Sequence, residues 1–158
     1  MTSDIKTELI SESLPKVALA ILHQEGKFLM QLRDDNPAIF YPGHWGFFGG
    51  HLEPGEDSET GVQRELIEEL SYCPPRLTLF DCHQDTYVTR YVYHAQLDKA
   101  LNELVLGEGM DLDWLTPEDI ERGDRYSAKI NQVRPLGKPH REILLSFIKS
   151  AKYPKLET

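Results

Sequence analysis

Residues 49–72, GGHLEPGEDSETGVQRELIEELSY, constrain the fold of this chain more than any other part of its sequence. Paired glycines and a Pro-Gly turn lead into a predicted helix, which a Pro-Pro pair ends. Glu65, Glu68 and Glu69 stand at i, i+3 and i+4, so the helix carries three carboxylates on one side. Such like charges repel by a few tenths of a kcal/mol per pair. Either a bound divalent cation offsets this repulsion, or the carboxylates form a solvated face that pairs with arginine.

The apolar positions of the same helix predict how it packs. Val62, Leu66 and Leu70 recur every four residues and form a stripe that faces the core, opposite the carboxylates. Ser58 is the predicted N-cap, with acidic neighbours that suit the positive end of the helix dipole. The helix is therefore expected to bury its apolar side and to carry the carboxylates on the opposite side.

The rest of the chain alternates between strand and helix patterns. Strands are predicted from continuous apolar or β-branched and aromatic runs at 16–22, 27–33, 45–48, 76–83, 86–97 and 103–106. A short helix begins at Pro117 after Thr116 as its cap, residues 123–139 are predicted to be irregular, and an amphipathic helix covers 140–152. The fold class is α/β, with helices packed on both faces of a mixed sheet, an α/β/α sandwich.

Composition limits the classes of partner. The 158 residues predict one domain, 1–158, with a loose N-terminal arm at 1–14 and a frayed tail at 153–158. The formal net charge of -9 argues against binding to nucleic acid or to an anionic membrane, which needs a basic surface. No signal-like or membrane-spanning apolar run is found, so a cytoplasmic protein is expected, with Cys73 and Cys82 reduced.

The central stretch resembles the signature of the Nudix hydrolases. Gly50, five residues, Glu56, seven residues and then Arg64-Glu65-Leu66-Ile67-Glu68-Glu69 match it within residues 50–72. One position departs, because Ser71 stands where the family has glycine; a serine kept left-handed there costs about 1 kcal/mol. The resemblance implies a Nudix-like α/β/α sandwich whose loop-helix-loop motif binds Mg²⁺ and hydrolyses nucleoside diphosphates linked to another group.

The resemblance also implies roles for individual residues. Glu65, Glu68 and Glu69 would be the metal ligands, joined by the main-chain oxygen of Gly49, and Mg²⁺ or Mn²⁺ suits such oxygen donors. Arg64 would orient Glu65 through a charge-assisted hydrogen bond. A further partner of the arginine in the turn before the helix would be Glu56, which could equally stabilise the N-terminus of the helix.

Two further charged residues are assigned by the same resemblance. Glu108 belongs to a Glu-Gly pair six residues before Trp114, which is the arrangement that supplies a fourth carboxylate in members that cleave nucleoside triphosphates. It is predicted to be a metal ligand or general base, and its competitors are Glu103, Asp111 and Asp113. Arg33, at the end of a strand, would contact a substrate phosphate, unless it is simply an exposed strand-end charge.

The sequence constrains the part of the substrate beyond the phosphates least. Trp45 and Phe47 are predicted to contact this part, by stacking on a base or by lining a sugar pocket. The same roles are open to Tyr87, Tyr91 and Tyr93, although such rings more often belong to the core or the sheet surface. Three histidines are further candidates for the cleft, although a lone histidine is more often a hydrogen-bonded structural residue: His44, His51 and His83.

The sequence therefore predicts an Mg²⁺-dependent pyrophosphohydrolase acting on a nucleoside di- or triphosphate or a nucleotide sugar through attack of an activated water. The alternative is a non-catalytic Nudix-like module that senses a nucleotide or metabolite, which the complete acidic set disfavours. A nucleic-acid-binding regulator would need a basic patch. The partner is a small molecule, and homodimerisation through the last helix or the arm is left open.

Overall fold

The computed structural model describes residues 14–150 of the chain. The predicted N-terminal arm, apart from residue 14, and the predicted frayed tail lie outside this range. The strands are β1 (Lys16–Gln24), β2 (Lys27–Leu32), β3 (Trp45–Gly46), β4 (Phe48–His51), β5 (Thr78–Gln84), β6 (Thr89–Gln96), β7 (Asp111–Leu115), β8 (Asp124–Ser127) and β9 (Gln132–Pro135). The helices are α1 (Ser58–Leu70), α2 (Pro117–Arg122), α3 (Lys138–Lys149) and a 3₁₀ turn at Leu101–Glu103. None of the described helices is long and apolar enough to cross a membrane.

Strand β1 is the centre of a mixed sheet. It runs parallel to β6 along one edge, with Lys16 opposite Thr89 at the start of the register. Its other edge is shared by two antiparallel partners, β4 beside its first half and the hairpin partner β2 beside its second half. Because β4 pairs directly with β1, the two glycines of the central motif lie within the sheet, with Gly50 opposite Ala18.

The two faces of β1 explain its continuous apolar run. Successive side chains of a strand point to opposite faces, and both faces of this strand are covered by helices. One face carries Val17, Leu19 and Ile21 in a cluster with Ile143, Leu144 and Phe147 of α3. The other carries Ala18, Ala20 and Leu22 in a cluster with Val62, Leu66 and Leu70 of α1. The predicted α/β/α sandwich and the buried stripe of α1 are confirmed.

Two predictions of secondary structure are wrong. Residues 103–106 do not form a strand, because Val105 and Gly107 donate their N–H groups to the carbonyls of Leu70 and Glu69 at the end of α1. Residues 123–139 are not irregular, since β8 and β9 form an antiparallel hairpin. The side chains of this hairpin are mostly polar, so no apolar alternation marked it in the sequence.

The ends of α1 also differ in part from the prediction. The N-cap is Asp57, whose carboxylate accepts from the Thr60 N–H at 2.8 Å, whereas Ser58 is the first helical residue and its hydroxyl meets that of Tyr93. At the other end, Ser71 is left-handed with φ 57° and donates its N–H to Ile67. Ser71 thus adopts the left-handed conformation for which glycine is the usual residue, and this conformation costs a serine about 1 kcal/mol of free energy.

Candidate functional site

A cleft of about 650 Å³ is lined by six of the ten residues that were assigned a role from the sequence. This volume is within the range of small-molecule sites in proteins. One part of its wall, the acidic part, is formed by β4, α1 and the loop before β7. Its residues are Gly49, Gly50, Glu65, Glu68, Glu69 and Glu108. The other part, the cationic and aromatic part, is formed by the loops after β2 and β5, by β6 and by α3. Its residues include Arg33, Phe40, Tyr41, Tyr87, Arg90 and His140.

Glu69 is the most enclosed of the three helix carboxylates. Only 3% of the residue is exposed, and its oxygens accept from the side-chain amide of Gln31 at 2.9 Å and from the N–H of Gly49 at 3.2 Å. Burial, followed by the adjacent carboxylate of Glu65, raises the pKa of Glu69 well above its ordinary value, and Glu108 adds to the effect. The carboxylates are therefore close enough to repel one another inside the cleft.

The backbone of the glycine pair lets the carboxylates approach. A Cβ at position 50 would lie 2.7 Å from an oxygen of Glu65, so that carboxylate packs directly against the main chain. Gly49 has φ 132°, and a Cβ there would collide with the carbonyl of Ala18 in β1. Glycine at both positions follows from this geometry, because any side chain would displace either Glu65 or the β1–β4 pairing.

Arg64 joins the loop before the helix to the acidic side of the helix. Its Nε and Nη2 each donate to an oxygen of Glu56 at 2.9 Å, and Nη1 donates to Glu65 at 3.1 Å and to Glu68 at 3.3 Å. The hydrogen bond from Arg64 lowers the pKa of Glu56 to about 2. Glu68 is otherwise directed to solvent, with 57% of its side chain exposed. These contacts are those an arginine needs to fix the orientation of Glu65.

Glu108 reaches the cleft from a loop that leans on the end of α1. Gly107 donates its N–H to the carbonyl of Glu69 at 2.8 Å, and Met110 donates to Leu32 at 2.7 Å. Glu108 itself is exposed and lines the cleft. The competing acids are engaged elsewhere: Glu103 accepts from the N–H of Ala100, Asp111 from the hydroxyl of Ser127, and Asp113 pairs with Arg125.

The donor chemistry of this group fits a hard divalent cation. Carboxylate and main-chain oxygens are the ligands such ions prefer, and a cation would offset the repulsion between Glu65 and Glu69. Within residues 14–150, no three His, Cys, Asp or Glu side chains already form an arrangement that could hold a metal ion. The Glu68 carboxylate is instead turned toward Arg64, so it joins such a set only by leaving the guanidinium.

The cationic part of the cleft surrounds a buried histidine. Nδ1 of His140 accepts from the Phe47 N–H at 2.9 Å, so the neutral ring carries its hydrogen on Nε2. Burial, assisted by the nearby charges of Arg33 and Arg90, lowers the pKa of His140 to about 3. Arg90 is paired with Asp85 at 2.6 Å, whereas Arg33 uses only Nε, toward the carbonyl of Phe40. The Nη groups of Arg33 have no protein partner within residues 14–150.

The prediction that Trp45 and Phe47 contact the substrate is wrong. Trp45 is fully buried and its indole N–H donates to the carbonyl of Arg125, while Phe47 is 2% exposed in the core beside α3. Neither ring lines the cleft, because strands covered on both faces place aromatic side chains in the interior. Of the tyrosines considered, Tyr87 does line the cleft, whereas Tyr93 is buried.

Several cleft residues were not predicted as site residues, and only some of them carried a signal in the sequence. Gln31 is the one polar residue within the buried run FLMQL of β2, which is a reason to ask what it binds. His140 and Arg90 lie in the apolar pattern of a helix and a strand and are brought together only by the tertiary fold. Of the three histidines proposed for the cleft, His51 lines it, while His44 and His83 do not.

Known proteins resemble this chain in sequence. A family model described as NUDIX domain matches residues 13–136. Nucleoside triphosphatase NudI from Escherichia coli is 28% identical over 135 residues, which cover 77% of this chain and 95% of that protein. The protein of the same name from Escherichia fergusonii is 27% identical over 122 residues, covering 68% of this chain and 86% of that protein.

Solved structures share the fold. The MutT NUDIX hydrolase from Burkholderia pseudomallei aligns with a TM-score of 0.64 at 23% identity, over 84% of this chain and 97% of that chain. The NUDIX domain of Shewanella oneidensis NrtR, complexed with ADP ribose, aligns with a TM-score of 0.66 at 19% identity, over 87% and 88%. Nudix hydrolases generally use divalent metal ions, in keeping with the oxygen donors of this cleft. With the family model spanning most of the sequence and the signature helix lining the cleft, the chain belongs to the NUDIX family and is a hydrolase acting on phosphorus-containing acid anhydrides.

Proposed function

We propose that the protein is an Mg²⁺-dependent pyrophosphohydrolase that cleaves the anhydride of a nucleoside di- or triphosphate or of a nucleotide sugar. The observation that carries the proposal is one cleft lined by Glu65, Glu69 and Glu108 and also by Arg33, whose Nη groups have no partner among the described residues. A polyphosphate needs both a cation held by carboxylates and a guanidinium that contacts its oxygens. The relatives named nucleoside triphosphatase make nucleoside triphosphates the first substrates to test.

The helix carboxylates would hold the cation. Glu65, Glu68 and Glu69, with the main-chain oxygen of Gly49 and with Glu108, offer the oxygen donors that Mg²⁺ requires, and Mn²⁺ suits the same donors. When bound, the cation supplies neutralisation of phosphate charge and a lowered pKa for the attacking water. Arg64, anchored on Glu56, keeps the Glu65 carboxylate in place while this happens.

The remaining chemistry belongs to side chains of the cleft. A water oxygen attacks a phosphorus of the anhydride, the bridging P–O bond breaks, and its electron pair leaves with the departing phosphate. Glu108, exposed within the cleft, accepts the proton that the water loses. Arg33 neutralises charge on a non-bridging oxygen through the fork formed by its two Nη groups.

A panel of nucleoside triphosphates, diphosphates and nucleotide sugars tests the proposal, with Mg²⁺ present and the products identified. We expect release of phosphate or pyrophosphate from at least one of them, and loss of turnover in Glu69→Gln. Glu103→Gln, which removes an acid outside the cleft, is the matched control and retains activity. Folded protein that cleaves no member of the panel refutes the proposal, and wild-type turnover by Glu69→Gln refutes the ligand assignment.

The alternative of a non-catalytic sensor is not favoured by the cleft. A protein that only binds a nucleotide has no need for Glu65 and Glu69 to be held against each other beside Gly49 and Gly50, at the cost of mutual repulsion. Three further points stay predictions: that the chain is a single domain, that it works in the cytoplasm, and that it forms a homodimer.

A further inference from the structure

We propose that Phe40 and Tyr87 form a clamp that holds the nucleobase of the substrate by stacking against it. The inference rests on the proposed function, because it assigns the part of the substrate that does not react. It replaces Trp45 and Phe47, whose rings are buried, with two rings that line the cleft. Neither ring belongs to the family signature, and they come from different loops, after β2 and after β5.

The exposure of these rings is unusual for the described part of the chain. Phe40 is 69% exposed and Tyr87 is 75% exposed, the two highest fractions among its exposed large hydrophobic residues. Both line the cleft that contains the carboxylates, whereas the other large hydrophobic residues that are exposed in the described part of the chain lie outside it. Exposed aromatic surface inside a concave site is typical of a surface that a ligand covers.

The main chain of both rings is held by charged residues of the same cleft. The Arg33 side chain donates to the carbonyl of Phe40 at 2.9 Å. The Asp85 carboxylate accepts from the N–H of Tyr87 at 2.8 Å and is itself paired with Arg90 at 2.6 Å. The backbone positions are thus fixed while the rings are left in solvent, so little ordering is needed when a flat ligand binds.

A nucleobase is the occupant that this chemistry fits. Aromatic rings stack on bases of any sequence through their π-faces, and the contribution per base corresponds to roughly a five- to hundredfold change in affinity on removal of one ring. The Arg33 side chain holds the Phe40 carbonyl through Nε, and its Nη groups have no partner within the described part of the chain, so a phosphate-binding cation lies beside the clamp. A nucleotide whose base lies at the clamp can therefore extend its phosphates along the cleft toward Glu65 and Glu69.

Binding of nucleoside 5′-monophosphates, measured by isothermal titration calorimetry, tests the clamp without hydrolysis. These probes carry the base but no anhydride, and inorganic tripolyphosphate serves as the probe that carries no base. We expect Phe40→Ala and Tyr87→Ala each to weaken monophosphate binding about tenfold. Phe40→Trp and Tyr87→Phe, which keep an aromatic ring, retain it. Tyr126→Ala removes an exposed ring outside the cleft and changes nothing.

The outcomes separate the clamp from the reaction. KM for a nucleoside triphosphate should rise in the alanine variants while hydrolysis of tripolyphosphate is unchanged. Unaltered monophosphate affinity in both alanine variants, an equal loss for tripolyphosphate, or no binding of any monophosphate by the wild-type protein overturns the clamp. If no anhydride is hydrolysed but the alanine variants still lose monophosphate affinity, the clamp stands and the proposed reaction falls.

Discussion

Gln31 offers a direct test of how the cleft holds its buried carboxylate. Its side-chain amide donates to Glu69 at 2.9 Å and to the carbonyl of Phe47 at 3.2 Å, and all three groups are buried. Replacement by leucine keeps the volume of the side chain and removes both donors. The leucine side chain offers no hydrogen-bond donor to the Phe47 carbonyl or to Glu69. Glu69 is then left with the N–H of Gly49.

The expected loss of stability follows from the two hydrogen bonds. The raised pKa of Glu69 favours its neutral form when no metal is bound, so each of the two bonds joins neutral groups and contributes about 0.5–1.5 kcal/mol. Gln31→Leu should therefore lower the free energy of unfolding by roughly 1–3 kcal/mol. Because Glu69 is a proposed ligand, the Mg²⁺ concentration for half-maximal activity should also rise about 10- to 100-fold. Urea denaturation without metal and Mg²⁺ titration of the activity measure the two effects separately.

The matched control is Gln24→Leu in the neighbouring strand of the same hairpin. The amide of Gln24 also makes two bonds, to the carbonyls of Leu97 and Lys99, but it lies outside the cleft. That variant should lose stability while its Mg²⁺ requirement stays that of the wild type. If Gln31→Leu unfolds like the wild type, or if both variants change the Mg²⁺ requirement equally, the contact with Glu69 does not position that carboxylate.

The remaining predictions concern pH and the phosphate contact. Burial, with the nearby His94, lowers the pKa of His23 to about 4, whereas it is about 6.5 in the unfolded chain. As the pH falls, the unfolded chain therefore takes up the proton first. The contribution of His23 to the free energy of unfolding is fully present above pH 6.5 and falls by roughly 2 kcal/mol between pH 6.5 and 5. Urea unfolding at pH 7 and pH 5 checks this, since a His23→Gln variant with the same pH dependence would contradict it. Arg33→Ala should raise KM for a nucleoside triphosphate at least tenfold and Arg33→Lys less, whereas Arg134→Ala, whose guanidinium pairs with Asp35, should leave KM unchanged. Equal KM values for Arg33→Ala and the wild type would exclude the phosphate contact.

Local patterns predicted the elements whose burial repeats with a short period. The four-residue spacing of Val62, Leu66 and Leu70 predicted the buried side of α1, and the apolar run of β1 predicted a strand covered on both faces. The pattern did not predict which aromatic residues reach the cleft. Trp45 in β3 and Phe47, which lies between β3 and β4, are close to the signature in sequence, but this proximity does not reveal which side of the sheet faces the substrate.

Contacts between distant segments were beyond the sequence. Gln31 meets Glu69 across 38 positions and Phe47 meets His140 across 93, so neither pair has a local signature. The choice of Asp57 over Ser58 as N-cap is different, because both residues can cap a helix. In the fold the hydroxyl of Ser58 is engaged by that of Tyr93, and this contact depends on the position of β6.

The three helix glutamates show what the fold adds to a correct motif. By spacing alone they are equivalent carboxylates on one side of a helix. In the structure Glu69 is buried and held by two donors, Glu65 lies against the main chain of Gly50, and Glu68 is more than half exposed and bonded to Arg64. Burial of Glu69 beside the partly buried Glu65 strengthens the repulsion between these two carboxylates, whereas the exposed Glu68 can exchange its partner. The positions of the charges therefore follow from the sequence, and their differing freedom to move follows from the strands and glycines packed around them.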